Sequence, residues 1–382
     1  MPRPLSLAEH TLLAELVEKS LDAMFDDQFP ENGSFILRPV KNREGVERNY
    51  FYYQGYRPKA SSDDKSVRYQ RYVGPADDLA IAERVARFQE IKAGRKERAA
   101  LVQGLAGIGL PRPPVQMGRI TEALARAGLF RMRAVLIGTA AFQTYPAITG
   151  MRLDDATAIT GDVDVAQFRS ISLSIDDSTP PILKILESVD PTFRAMPHRN
   201  DPVASTTFQN ASGFRLDVLT PHRGSDDQIG KALKMDAIDG AAAEPLRFLD
   251  YLIHKPVRSV MLFGPGISVN VPAPERFAIH KLIISTRRPG DTTGAAKSRK
   301  DVAQANEIIL SLDQIGQIGT LSNAFDEAWQ RGPRWRQAIE KAAHRLPEPG
   351  WAALSKASDS KLPPSKPQPR PPKARGKGGI GD

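Results

Sequence analysis

A chain of 382 residues with 41% hydrophobic and 25% charged side chains holds enough apolar material for more than one core, and at roughly 150 residues per domain it divides into two or three units. Cysteine is absent, which excludes disulfides, cysteine nucleophiles and thiolate metal sites. The net charge of +9 permits a polyanionic partner without requiring one, since seven basic against two acidic residues between Ser355 and Asp382 supply +5 of it.

Taken in chain order, Ser6-Leu-Ala-Glu9 is a capping box that opens an amphipathic helix. No apolar leader pattern precedes it, and no apolar run approaches the ~18 residues that span a bilayer. A soluble, cytoplasmic protein is therefore expected. Two aromatic runs, Asn49–Tyr56 and Val67–Val73, flank the polar turn Pro58–Lys65 and predict a β-hairpin. Gly74-Pro75 ends it, and Asp77-Asp78 start a helix whose far end carries Arg95, Lys96 and Arg98, the charge order that the helix dipole favours. Six of the eight tyrosines lie between positions 50 and 72, interleaved with basic residues. Cross-strand pairing in a small sheet is the favoured reading, and a stacking surface for bases is the alternative. Gly104–Pro114 reads as a linker.

The second region begins with a short helix, Met117–Ala127, stopped by Gly128. Strands are predicted at Ala134–Ile137, Val163–Ala166, Ile171–Ile175, Thr206–Gln209 and Phe214–Leu219, with helices after Gly138-Thr139 and after Pro180-Pro181. Mixed strands and helices indicate an α+β layer, one sheet with helices packed on it. The third region is helical. Pro274 opens a helix with Phe277, Ile279, Leu282 and Ile283 on its apolar face, a second covers Arg299–Leu312, and two more lie within Leu321–His344. From Ser355 onward six prolines and a basic excess predict disorder. The expected organisation is an accessory helix-and-hairpin domain over 1–115, a core over 116–245, a helical domain over 246–350 and a disordered tail over 351–382.

The chemistry concentrates in a split constellation. A short apolar strand runs into Gly138-Thr139, then comes Asp162-Val-Asp164, then Asp217 between apolar residues on another strand. Side chains at i and i+2 of a strand share a face, so Asp162 and Asp164 form a carboxylate pair of the kind that holds hard cations. Crowded carboxylates raise one another's pKa unless a cation or proton intervenes. Gly138 allows close approach of backbone to a phosphate, and the start of the following helix offers free N–H groups.

These three pieces in order, each flanked by apolar strand residues, resemble the DNA polymerase β-type nucleotidyltransferase superfamily. The stretch from Ala127 to Phe130, through Leu136–Thr139 to Thr160–Asp164, resembles an uncharacterised bacterial nucleotidyltransferase-like branch. Arg276–Lys281 and Lys297–Asp301 resemble the basic motifs of abortive-infection toxin nucleotidyltransferases. The likeness covers residues 117–315. It implies a mixed-sheet nucleotidyltransferase fold and Mg²⁺-dependent transfer of a nucleoside monophosphate from an NTP such as ATP to a hydroxyl of RNA, tRNA or protein, with release of pyrophosphate. Asp162 and Asp164 would hold two Mg²⁺ ions (Mn²⁺ is an alternative). Asp217 would hold the catalytic ion and help deprotonate the acceptor. Gly138, Thr139 and Lys281 would bind the triphosphate, and Asp301 is a weaker fourth element. The toxin likeness also implies a cognate antitoxin. Two departures stand out: 22 residues separate Thr139 from Asp162, and position 139 is threonine where serine or glycine is commoner.

Plainer readings compete. Lys281 also fits a snorkelling lysine on an amphipathic helix, and Asp301 a helix charge paired with Lys297 or Lys300. The six histidines show no metal-ligand spacing; His222 alone follows Asp217 closely enough to edge a site. A non-catalytic nucleotide sensor or nucleic-acid adaptor on the same fold is the alternative function.

Overall fold

Residues 1–29, 33–41, 47–56, 68–88, 90, 94–154, 161–175, 177–222 and 230–364 are described by a computed structural model. The polar turn Pro58–Lys65, Thr160 and tail residues 365–382 lie outside the described residues.

The chain starts with strand β1 (Arg3–Pro4) and helix α1 (Leu7–Gln28). The capping box closes as expected: the Ser6 amide donates to Glu9 Oε2 at 2.7 Å and the Glu9 amide to Ser6 Oγ at 3.3 Å. Two otherwise orphaned donors are thereby satisfied. Three antiparallel strands follow, β2 (Ser34–Lys41), β3 (Glu47–Tyr56) and β4 (Arg68–Pro75), ordered β2-β3-β4. The expected hairpin is β3–β4. The additional strand β2 carries Pro39, a residue admitted at a sheet edge, where β2 lies. One sheet face buries Tyr53 and Val73 with Phe29, Phe88 and Ile81 of α2 (Leu79–Ala86). Tyr52 and Tyr72 are also buried, in an edge-to-face pair. Tyr52, Tyr53 and Tyr72 are thus packing residues whose buried rings offer no face to bases, while Tyr50 and Tyr69 are half-buried.

Helix α2 ends at Ala86. Arg95, Lys96 and Arg98 instead begin a separate helix, α3 (Arg95–Gly107), because Gly94 supplies a fresh start. The stretch expected as a linker is packed: Leu105 and Leu110, with Val102 just before it, join Leu5, Leu13, Leu16, Val260 and Leu262 in one cluster. Gly104 and Gly107 lie within α3, and Gly109 turns the chain with φ +82°.

Helix α4 (Val115–Arg126) stops where the sequence predicts, with Gly128 left-handed at φ +90°. There follow β5 (Val135–Ile137), the short helices α5 (Gly138–Phe142) and α6 (Pro146–Thr149), and β6 (Met151–Arg152), which pairs with β1. The 22-residue insertion is therefore partly core, with Phe142 and Tyr145 packed against Phe277. Next come β7 (Asp162–Ala166), α7 (Arg169–Ser174), α8 (Ile182–Val189), β8 (Arg194–Met196), β9 (Thr207–Gln209), β10 (Arg215–Pro221), β11 (Leu233–Lys234) and β12 (Ala242–Leu246). The strand expected at Ile171–Ile175 is helix α7. Its alternating serines mimic a strand pattern, but Ser174 bonds back to the Ser170 carbonyl at 2.6 Å and Ser172 Oγ accepts from the Ala237 amide.

The main sheet has seven strands in the path β11-β12-β10-β7-β5, with β9 on β10 and β8 on β9. β10 runs parallel to β7 and β12, while β5 and β9 run antiparallel to their neighbours. This is a mixed sheet in an α+β architecture.

Beyond the sheet lie α9 (Leu249–Leu252), the hairpin β13 (Val257–Met261) with β14 (Ile267–Val271), and helices α10 (Pro274–Ser285), α11 (Thr292–Gln314), α12 (Ile318–Gln330), α13 (Pro333–Ala343) and α14 (Glu348–Ala357). α10 is buried almost all round, from Phe277 through Ile283, because α11, α12 and α13 surround it. Order continues past residue 350: Leu354, Ala357 and Leu362 enter the main core, so the disordered tail expected from 351 begins inside packed structure. Among the described residues no helix is long and apolar enough to cross a membrane.

Candidate active site

The site begins as a register. Parallel pairing of β7 with β10 sets Asp164 opposite Asp217 and Asp162 opposite Arg215. Antiparallel pairing of β5 with β7 sets Ile137 opposite Asp164. The alternate residues Val163, Val165, Leu216 and Val218 are buried. Their insertion into the core drives the three carboxylates to the other face, the period-two consequence of a strand. All three line one cavity of about 610 Å³ together with Gly138, Thr139, Lys281 and Asp301.

Gly138 sits at the strand-to-helix corner with φ +67°, a conformation that costs a side-chain-bearing residue energy. A Cβ there would stand 2.6 Å from Asp164 Oδ2. Glycine is thus required twice, for the turn and for the room that the carboxylate takes. The helix that follows is only Gly138–Phe142, too short to present the sustained dipole the sequence suggests. Thr139 is buried, 3.4 Å from Gln304 Nε2.

Electrostatic crowding is visible in the acids. Burial, reinforced by Asp162 and Asp217, pushes the Asp164 carboxyl up to about 7, with Lys281 and Arg288 pulling the other way. Burial also raises Asp217, opposed by the Thr207 hydroxyl, which donates to Asp217 Oδ1 at 2.5 Å. Such a cluster stabilises a cation or a proton.

The opposite wall comes from α10, α11 and the turn between them. The cavity lining carries six basic side chains, Arg247, Lys281, Arg287, Arg288, Lys297 and Lys300, against four carboxylates. The excess suits a polyanion. Lys281 donates to Asp301 Oδ1 at 2.7 Å and Arg288 Nε to Asp301 Oδ2 at 2.7 Å. Asp301 therefore does not pair with Lys297 or Lys300 as a simple helix charge. It ties two cations to the cavity wall. Burial pulls its carboxyl upward, but Lys281 and Arg288 outweigh that and hold it below the usual range. Burial and Lys281 push His280 down to about 3, so it is neutral and a wall residue. Burial and Lys281 also lower Lys300, while Asp162 and Asp301 oppose them.

The donor set is all oxygen, the chemistry of a hard divalent ion. Among the described residues no group of three acidic or histidine side chains is gathered tightly enough to grip an ion unaided. Magnesium commonly keeps waters and takes substrate phosphate oxygens in its shell, so two or three carboxylates facing an open cavity fit it.

Every candidate from the sequence, Gly138, Thr139, Asp162, Asp164, Asp217, Lys281 and Asp301, reaches this cavity. His222 lines a neighbouring one. Sequence reading takes Lys297 and Lys300 as parts of a basic motif and as partners for Asp301 and does not count them as cavity residues, although i, i+3, i+4 spacing from Lys297 places both and Asp301 on one helix face. Arg247, Arg287 and Arg288 carry no such signal, because connecting segments deliver them. A family model described as "Nucleotidyltransferase" matches residues 115–331, which include every residue named in this cavity. No curated protein and no solved structure matches the chain.

Proposed function

The chain belongs to the nucleotidyltransferase family, and from that premise we propose a magnesium-dependent transfer of a nucleoside monophosphate from an NTP to a hydroxyl of RNA, tRNA or protein, with release of pyrophosphate. Transfer of nucleotidyl groups is the family's activity; the metal, the acceptor and the roles below are our reading. The observation that carries it is the juxtaposition of Asp162, Asp164 and Asp217 with Lys281, Arg288, Lys297 and Lys300 across one cavity.

In this reading the triphosphate lies against the basic wall. Gly138, lacking a side chain, lets the backbone approach it, and Lys281 and Arg288, oriented by Asp301, neutralise its charge. The apolar end, with Leu246, Phe248, Leu249 and Phe277, receives the nucleoside. Asp162, Asp164 and Asp217 would hold Mg²⁺, which when bound lowers the charge on the phosphates and the pKa of a bound hydroxyl. Asp217, held by Thr207, stands to accept the acceptor's proton. A bond forms from the acceptor oxygen to the α-phosphorus, the bond to the β-phosphate oxygen breaks, and pyrophosphate leaves with the electron pair.

The test incubates the protein with each radiolabelled NTP and Mg²⁺ in turn, offering total RNA and total protein as acceptors. Label on either fraction, absent with Asp164→Asn, supports transfer. NTP binding without any labelled product favours the nucleotide-sensor alternative. The motif likeness to toxins extends the proposal to a growth-arresting role relieved by an antitoxin. Induced expression that leaves growth unchanged would remove that extension alone.

A further inference from the structure

Pairing stays in register from β7 through β10 and β9 to the edge strand β8, so paired residues form rows whose side chains share a face. One row is Asp164, Asp217, Thr207 and Met196, and the next is Asp162, Arg215, Gln209 and Arg194. Val163, Leu216 and Phe208, in the row between them, are buried on the opposite face. Outward from the carboxylates the sheet is open: Arg215, Arg194 and Met196 are exposed, and Thr207 and Gln209 half-buried. β5, which delivers Gly138, borders β7 on its other side, so the two rows lead away from Gly138. Three cations stand along them. Arg215 lies on the second row, and Lys297 enters from α11 through the cavity wall; both are near enough to Asp217 to draw its carboxyl down against burial. Neither side chain has a hydrogen bond or ion pair among the described residues. Arg194 donates through Nη1 to the Pro191 and Phe193 carbonyls at 2.8 and 2.6 Å, which leaves Nε and Nη2 for a ligand. Asp190, four residues before it, accepts instead from Thr192 and Asn210.

Taking the transferase reading as its basis, we propose that the open face of β10, β9 and β8 is the acceptor platform and that the acceptor is a single-stranded nucleic acid. Arg215 and Arg194 are two strand spacings apart, roughly 10 Å, so their guanidinium forks take different phosphates of one strand. Met196 is 40% exposed beside them in the neighbouring row, and a thioether makes favourable contacts with an aromatic ring, which a base supplies. A strand lying along Arg194, Gln209 and Arg215 ends at Asp217 and Lys297, where its terminal hydroxyl meets the carboxylate placed to take the proton. An acidic protein surface brings charge without the regular spacing or the ring, and is the competing occupant that the experiment separates.

Arg194 is exposed and lies outside the carboxylate cavity, so it is the variant of choice. Lys341, exposed on α13 and outside that cavity too, controls for net charge. Binding of a short fluorescein-labelled oligouridylate and of its deoxy counterpart is followed by anisotropy across a salt series in the full chain, with NTP affinity and melting temperature measured separately. Arg194→Glu weakens binding of at least one strand by about tenfold and flattens the dependence of log K on log salt, while NTP affinity and melting temperature keep their wild-type values. Arg194→Lys restores part of the strand affinity, because it keeps the charge and loses the fork, and Lys341→Glu binds as wild type. Wild-type strand affinity in Arg194→Glu, equal losses in Arg194→Glu and Lys341→Glu, or no strand binding by the wild-type protein at any salt overturns the assignment. Label from NTP confined to a protein fraction overturns it as well and leaves the transferase reading standing. Strand binding that responds as stated, with no nucleotidyl transfer to any acceptor, sinks the transferase reading and leaves a nucleic-acid surface in place.

Discussion

Asp164 carries the sharpest consequence at the scale of single residues. It lies between Ile137 and Asp217 on the sheet, and its carboxyl is pushed up to about 7 by burial and its two acidic neighbours. A folded-state pKa above the unfolded one contributes stability that is fully present below the ordinary carboxyl range and lost as pH rises towards 7. Metal-free protein is therefore expected to melt at a higher temperature near pH 5 than near pH 8 through this group. Moving a carboxyl from 3.8 to about 7 is worth ~4 kcal/mol at the limit, and the opening of Asp164 onto the cavity reduces that to roughly 1–2 kcal/mol. Asp164→Asn should recover that amount at pH 8, flatten the pH dependence and lower transfer by about two orders of magnitude. Melting in chelator at both pH values, alongside a transfer assay, checks it. An Asn variant less stable than wild type at pH 8 would contradict the crowding argument. Gly138→Ala makes the companion prediction. With φ +67° and a Cβ 2.6 Å from Asp164 Oδ2, it should cost about 1–2 kcal/mol from the backbone alone and also displace the carboxylate, so melting temperature and transfer fall together.

At the scale of elements, α10 and α11 are joined by the buried group Lys281–Asp301–Arg288. Both Lys281 and Asp301 are nearly inaccessible, at 7% and 3% side-chain exposure, so their charges persist only as partners. Removing Asp301 strands two cations, whereas removing Lys281 leaves the Asp301–Arg288 pair intact. Asp301→Asn should therefore destabilise by about 3 kcal/mol, and Lys281→Met by clearly less, in chemical denaturation of the two variants. The reverse order would mean that Arg288 does not hold Asp301. The same elements show what the chain announces locally and what it does not. Asp162-Val-Asp164, Gly138 and Asp217 are legible because a strand's two-residue period and a glycine's freedom are local properties. Pro274 and the apolar residues after it announce α10 for the same reason. The pairing of Asp301 with Arg288 is not legible, since it depends on how two helices meet. The serines of α7 read as a strand until their helical hydrogen bonds are known, and β2 is hidden by the proline that its edge position tolerates. Arg247 and Arg287 reach the cavity through connections that have no period at all.

At the scale of the whole molecule, the N-terminal third is not a detachable accessory. Its composition, with a glycine- and proline-rich stretch before residue 115, reads as a boundary, because sequence records turns and not what the turning segments touch. In the folded chain β1 pairs with β6, α1 packs on both strands of the β13–β14 hairpin, and Leu5, Leu13, Leu16, Val102, Leu105 and Leu110 share a cluster with Val260 and Leu262. Arg131 joins the same two parts elsewhere, donating to the Tyr72 carbonyl and, at 2.9 Å, to Asp177. A fragment beginning at Val115 would bare the hairpin's side of that cluster. Each large aliphatic side chain returned to water costs about 1.5–3 kcal/mol, and the two on the hairpin alone approach a sizeable part of a domain's stability of 5–15 kcal/mol. It would also leave Asp177 facing Arg131 without the sheet that covers them. The fragment 115–364 should accordingly melt well below the full chain or fail to fold, although it contains every residue of the carboxylate cavity. Co-expression with residues 1–114 as a separate chain should restore a soluble complex, because the contacts are side-chain packing and do not need a covalent link. Thermal melting and size-exclusion of the fragment, the complex and the full chain decide the matter, and a fragment as stable as the full chain would show that the N-terminal third is a passenger on the transferase.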